Sequence, residues 1–344
     1  MTKIPNPFDG SSFEGLVKID EPLAPRTTLG VGGPADYYYE ATTTGQIINL
    51  ISIAASKKIP YVVLGAGSNV LVSDEGFRGL IIKNSSADWE ILKQYRFPAF
   101  SRHSLAARWS PPPNSGFANM GYDESEYPLV ALRADCGIPV QRLAVELLNK
   151  GITGLEWFAG IPGTIGGAVY MNMHGGGKFF GDLLVEARLL DSTGQINQRP
   201  RSNFEFKYDY SILHKTKEVV LDVVLGLRLG PVKKAQRLMF NWLKHKNASQ
   251  PKRSSGCVFQ NISEDDRRRL KMPTTSTGFI IDRLLRLKGR RHGGAMVSEE
   301  HGNFFVNTGS ATAQDFYELI CEVKNKANKE LSVELKEEVC YVGF

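Results

Sequence analysis

The sequence predicts a protein of mixed helix and strand divided into more than one domain, and three observations predict it. Its 344 residues exceed what a single hydrophobic core usually supports. Helix-period runs and β-rich runs both recur along the chain. With 42% apolar and 23% charged residues, the composition suits a packed soluble protein and excludes a disordered or fibrous one.

The elements follow in order. Thr44 is the expected N-cap of a helix carrying Ile47, Ile48, Ile51, Ala54 and Ala55 at helical spacing. "PYVVLGAGSNVLVSD" then gives two β-rich runs around a Gly/Ser/Asn turn. A Rossmann fingerprint needs a third glycine where Val70 stands and a helix where the second run favours a strand, so that reading fails. Residues 85–127, with the triple proline of "WSPPPNSGFANMGYDESEY", are expected to be an inserted surface excursion. "PLVALRADCG" reads as a strand, and "VQRLAVELLNKG" as a helix burying Val140, Leu143, Ala144, Leu147 and Leu148 and closed by Gly151. Strands are expected at 183–190 and 219–229, and a domain boundary near Gly230. Beyond it come a helix through Trp242, the "SSGCVFQN" strand or loop, a helix in "STGFIIDRLLRLKG" ending at Gly289, and a helix capped by Thr312. The last has Phe316, Leu319, Ile320, Val323 and Ala327 as its apolar stripe. "DDRRRLK" is expected to be a solvated turn or loop.

Several function classes recede on composition. The N-terminus has no basic segment followed by an apolar run, and no stretch approaches the roughly 18 apolar residues of a membrane span, so a cytoplasmic location is expected. Cys136, Cys257, Cys321 and Cys340 form no CxxC pair and have no histidine at metal spacing; neither a metal site nor a disulfide framework is indicated. The formal charge of +6 suits small phosphorylated ligands as well as nucleic acid, and the densest basic run lacks the interleaved aromatics that stack bases.

Two glycine-rich stretches point to a ligand. One is "GAGSN" with the following valine (Gly65, Ala66, Gly67, Ser68, Asn69, Val70). The other is "GIPGTIGGA", containing Gly160, Ile161, Pro162, Gly163, Thr164, Gly166, Gly167 and Ala168. Residues without a Cβ let backbone N–H groups approach an anion, and a diphosphate fits such a nest. Neither stretch ends in the Lys-Ser/Thr of a P-loop. Each alone is compatible with a tight turn; with "TTLGVGGPA" upstream, three in one region favour binding. Cys257, in "SSGCVFQN", reads either as a small buried hydrophobe or as a thiol carrying a proton for a reaction.

The blocks "TTLGVGGPADYY", "LGAGSNVLVSDEGFRGLII", "GLEWFAGIPGTIGGAVYMN", "SSGCVFQN", "GFIIDRLLRLKG", "GGAMVSEEHGNFFVN", "ATAQDF" and "LKEEVCYVG" occur in this order. In that order they resemble the UDP-N-acetylenolpyruvoylglucosamine reductase (MurB) family of bacterial cell-wall synthesis, in the form with a shortened tyrosine loop. The resemblance covers the chain outside 85–127. It implies an α+β fold: a two-part FAD-binding unit of the vanillyl-alcohol-oxidase/PCMH type, then an α+β substrate domain. The implied division is 1–84 and 85–229 for the FAD-binding subdomains and 230–334 for substrate, with 335–344 returning to the first. It also implies FAD against the glycine loops, NADPH as reductant, and UDP-N-acetylglucosamine enolpyruvate as substrate, in a monomer binding neither nucleic acid nor membrane.

By the same resemblance, Cys257 stands where the family usually has a proton-donating serine, and Glu338 matches an acid that hydrogen-bonds or polarises the substrate carboxylate. Tyr208 lines the substrate pocket, or else is a core aromatic. Asn261 and Asn303 match positions near the UDP moiety, and Lys246 or Lys288 could meet its diphosphate. His301 reads as a histidine fixing its loop. The chain departs from the family at "FKYDYS", where Asp209 replaces an arginine, leaving Lys207, Arg201 or Arg291 to supply the missing cation. A different flavin oxidoreductase on the same scaffold, or a non-catalytic binding protein, stays open at this point.

Overall fold

The computed structural model describes residues 6–98, 122, 124–251 and 253–344. The triple proline of the expected excursion lies outside the described residues. By its internal contacts the chain forms two compact units, one of residues 1–16, 39–66 and 82–246 and the other of residues 17–38, 67–81 and 247–344. Sequence continuity does not draw this division. Residues 17–38 and 67–81 cluster with the C-terminal part, and the contact boundary falls at 246/247 rather than near Gly230.

Among the described residues, the first unit is built on a six-stranded sheet. Ile196–Pro200, Leu184–Leu190, Val219–Leu229, Leu129–Asp135 and Trp89–Ile91 follow one another antiparallel, and Ile152–Thr153 pairs at the end of Val219–Leu229. Ten of the eleven residues of Val219–Leu229 are buried, which is why it reads as an unbroken apolar run rather than an alternation. One face carries the main core, including Leu132, Ala134, Ala187, Leu189, Val223 and Leu225. Helix Val140–Leu148 packs there and buries the five residues expected of it, worth about 1.5–3 kcal/mol for each Val or Leu taken from water. The other face has a small cluster, Ala131, Val185 and Val224, covered by Leu92, Tyr95 and Phe97. This corrects the reading of 85–127 as excursion throughout: Trp89–Ile91 is an edge strand, and the residues after it cover the sheet.

Helix Thr44–Ser56 starts one residue earlier than expected. Thr43 is the N-cap, its hydroxyl accepting from the Gln46 N–H at 3.3 Å while the Gln46 side chain accepts from the Thr43 N–H. The buried face is Ile47, Leu50, Ile51 and Ala54; Ala55 is exposed.

The second unit pairs Ser254–Cys257 with Phe304–Asn307, then Ala295–Val297 and Arg291–His292, all antiparallel. Helix Ala313–Leu331 covers this sheet with the predicted stripe, opened by a capping box between Thr312 and Asp315. The expected helix in "STGFIIDRLLRLKG" is instead one short turn, Thr277–Phe279, widening into a π-helix at Ile280–Leu284. "DDRRRLK" is a helix rather than a turn: Ser263 caps Glu264–Arg269, and Arg269 donates to the carbonyls of Leu331 and Ser332 at 2.8 and 3.1 Å, closing the long helix. Cys340–Val342 pairs in parallel with Val70–Val72. No helix among the described residues is long and apolar enough to cross a membrane.

Candidate active site

In the first unit the two glycine loops meet. A Cβ on Gly65 would lie 2.5 Å from Thr164 Oγ1, so only glycine permits this approach. The Lys83 ammonium donates to the Gly65 carbonyl. Thr164, buried, caps helix Ile165–Tyr170, its hydroxyl accepting from the Gly167 N–H. The second loop is shorter than the sequence motif. Gly166, Gly167 and Ala168 are helical, their N–H groups donate to Cys136 O, Thr164 Oγ1 and Thr164 O, and the Ala168 side chain is wholly buried in the main core. Ile161 donates to Phe158 O, and Pro162 has no N–H. The amides of Gly163 and Thr164 therefore stand without an acceptor among the described residues. Such paired donors fit an anionic group of a cofactor. Gly160, at φ +75°, turns beneath the stem of Lys246, whose Cδ would be 3.3 Å from a Cβ there and whose ammonium lies over the Trp242 ring.

The first loop continues into the second unit in the same manner. Gly67 is buried at φ +66°, a Cβ on it would strike the Arg26 carbonyl at 2.1 Å, and its N–H finds no acceptor among the described residues. The third glycine stretch packs against it: Thr28 donates through its N–H to Gly67 O at 3.0 Å and through its hydroxyl to Ser68 O at 3.3 Å. Asn69 leads into the strand Val70–Val72.

Cys257 is half-buried at the end of its strand. Gly256 before it adopts φ +84°, and the register with Phe304–Asn307 shifts between Ser254 and Cys257, an irregularity in the strand that carries the thiol. Glu338, also half-buried, donates its N–H to Val258 O at 2.8 Å, beside Cys257, and its carbonyl accepts from Asn69 Nδ2 at 2.9 Å. Its neighbour Glu337 pairs with Lys324 at 2.6 Å. The second unit thus joins Asn69, Glu338 and the residue after Cys257 by one side-chain and one backbone hydrogen bond.

Asn303 is buried, and its amide is spent on Phe259, accepting from the N–H at 3.0 Å and donating to the carbonyl at 2.7 Å. It clamps the chain just after Cys257, a role that sequence did not indicate. Asn261 is exposed and its Oδ1 accepts from the Thr277 N–H at 3.3 Å. Lys288 pairs with Asp282 of the π-helix at 3.2 Å. His301 accepts the Asn303 N–H on Nδ1 at 3.2 Å and packs on Phe304; burial, then Lys288, holds its pKa below the ordinary value. It fixes the loop, as its sequence context indicates. Tyr208, in the first unit, is 37% exposed and is no core aromatic.

Comparison with known proteins decides the family. Residues 249–342 match the C-terminal domain of UDP-N-acetylenolpyruvoylglucosamine reductase, and residues 127–198 match an FAD binding domain. The reductase of Bacillus velezensis is 34% identical over 332 residues, 96% of this chain and 95% of its own. The chain belongs to the UDP-N-acetylenolpyruvoylglucosamine reductase family. A Chlamydia trachomatis reductase is 30% identical over 97% of this chain and 98% of its own. The crystal structure of the reductase from Thermus caldophilus superposes with a TM-score of 0.68 at 28% identity, over 95% of this chain and 98% of that one. This reductase therefore has the α+β fold of its family and is a flavin-dependent oxidoreductase with FAD as cofactor. The FAD match contains the loop Gly160 to Thr164 with its two open amides.

Proposed function

We propose that this chain reduces UDP-N-acetylglucosamine enolpyruvate to UDP-N-acetylmuramate in peptidoglycan precursor synthesis, with NADPH as reductant. The carrying observation is family membership over 96% of the chain, with an FAD binding domain inside it. Bound at the glycine loops, FAD would supply the two-electron chemistry that links NADPH to the enol ether.

The chain's residues supply the rest. Negative charge develops on the carboxylate side of the substrate, and the adjacent carbon must gain a proton. The Cys257 thiol holds that proton and is left as a thiolate, to be reprotonated before the next turnover. With an unperturbed pKa of about 8.5, a thiol is a far stronger acid than a serine hydroxyl. The irregular register at Gly256 and the clamp of Asn303 on Phe259 support the reading by fixing the backbone on either side of Cys257. Glu338 hydrogen-bonds or polarises the substrate carboxylate, and Tyr208 lines the pocket. Lys246, Lys288, Asn261 and Asn303 serve the UDP end, the last by clamping the Phe259 backbone with its amide. Gly65 to Val70, with Gly160 to Thr164, hold FAD.

The division 1–84, 85–229 and 230–334 is retained as a functional one, and the parallel pairing of Cys340–Val342 with Val70–Val72 supports the return of 335–344. The reading further includes the shortened tyrosine loop, a cytoplasmic monomer, and no nucleic acid or membrane partner. The test is spectroscopic. The purified protein carries a flavin spectrum, NADPH bleaches it anaerobically, and UDP-N-acetylglucosamine enolpyruvate restores it with one NADPH consumed per substrate. A protein colourless after FAD addition, or a reduced flavin untouched by the substrate, refutes the assignment.

A further inference from the structure

We propose that His174, oriented by Asp209, is the cationic group that recognises the carboxylate of the enolpyruvyl substrate. The inference rests on the function proposed above. Tyr208 and Asp209 are the two central residues of a tight hairpin closed by Lys207 and Tyr210, whose N–H groups donate to each other's carbonyls at 3.0 and 3.3 Å. Asp209 takes φ +49°, the left-handed region that Asp tolerates better than most residues. Asn172 fixes the hairpin by donating to Lys207 O at 2.8 Å. This turn puts Tyr208 outside and Asp209 inside.

The Asp209 side chain is 3% exposed, and its Oδ1 lies 3.2 Å from His174 Nε2. Its Oδ2 is buried without a hydrogen-bond partner. A buried carboxylate is tolerable as an ion only beside a cation, and among the described residues His174 is the one basic side chain paired with it. One imidazole nitrogen, Nε2, is thus spent on Asp209. The ring is flanked by Tyr208 at 4.7 Å and Phe179 at 5.7 Å, yet the side chain is 33% exposed. Its second nitrogen, Nδ1, has no partner among the described residues and is left for an anion arriving from the open side.

Its neighbours place it beside the second glycine loop. A Cβ on Gly163 would strike Met173 Cε at 2.8 Å, and one on Gly175 would lie 3.3 Å from Ile161 Cδ1. The anion needing compensation is the substrate carboxylate, toward which charge moves during reduction, and Asp209 alone would repel it. Two of the cations considered from sequence are otherwise engaged. Arg201 donates to Gly181 O at 2.5 Å and pairs with Asp182 at 3.4 Å, while the Lys207 ammonium lies over the Tyr210 ring.

The test compares wild-type, H174Q, H174K and D209N holoenzymes, the last isosteric and so gentle on the hairpin. Each is titrated, through its oxidised flavin spectrum, with UDP-N-acetylglucosamine enolpyruvate and with UDP-N-acetylglucosamine, which has no carboxylate. H174Q and D209N should bind the first about tenfold more weakly or worse and the second unchanged, with flavin reduction by NADPH intact and H174K retaining part of the affinity. Unchanged affinity for both ligands overturns the assignment. So does an equal loss for both, which would place His174 at the nucleotide. A wild-type enzyme that binds neither ligand nor turns over would instead overturn the underlying function.

Discussion

Asn69 Nδ2 donates to the carbonyl of Glu338 at 2.9 Å, and the Asn69 carbonyl accepts from the Cys340 N–H at 3.0 Å, so the end of a glycine loop and the C-terminal acid share one register. Asn69 Oδ1 is buried without a partner. Replacing Asn69 with Ala removes both the bond and the unpaired oxygen, and should cost about 1 kcal/mol. Asn69→Asp loses the donor and faces a carbonyl with charge, and should cost about 2–3 kcal/mol. Denaturant titration of the two variants checks the order; Ala costing more than Asp would contradict it.

Gly65→Ala puts a Cβ where Thr164 Oγ1 stands, at 2.5 Å, and Thr164 is too short to step aside without releasing its cap on Gly167. The loops must separate, and flavin retention should fall at least about tenfold, read as flavin per protein after gel filtration. Retention equal to wild type would mean that this approach does not shape the cofactor site.

His301 is held neutral by burial, which lowers its pKa in the folded state. The unfolded chain then binds more protons between that lowered value and about 6.5, so stability present above pH 6.5 is lost as pH falls through the folded pKa. His301→Asn keeps an acceptor for the Asn303 N–H without titrating. Its thermal midpoint should fall less than that of wild type between neutral and mildly acid pH. Parallel losses would remove His301 from the acid response, leaving His214, whose pKa burial also lowers, to account for it.

Much of this was legible in the sequence because local pattern and tertiary role agree. The stripes of Val140–Leu148 and Ala313–Leu331 are apolar at helical period and are buried accordingly. What escaped was decided by partners far along the chain. Leu92, Tyr95 and Phe97 look like loop residues until a sheet face needs cover. The π-helix at Ile280–Leu284 differs from an α-helix only in hydrogen-bond register, which composition does not encode. Asn303 matched a ligand position, but its amide is engaged by a backbone 44 residues away. The pairing of His174 with Asp209 depends on a hairpin tip meeting a strand 35 residues earlier, and no spacing rule brings the two together.

The role of Cys257 is tested most directly by rapid-mixing kinetics of both half-reactions in Cys257→Ala and Cys257→Ser. Flavin reduction by NADPH should match wild type in both. Reoxidation by UDP-N-acetylglucosamine enolpyruvate should fall by at least about a hundredfold in the alanine variant, the scale of a lost general acid, and be partly retained with serine. Reoxidation by substrate in Cys257→Ala at the wild-type rate would show that the thiol only packs, and would contradict the account.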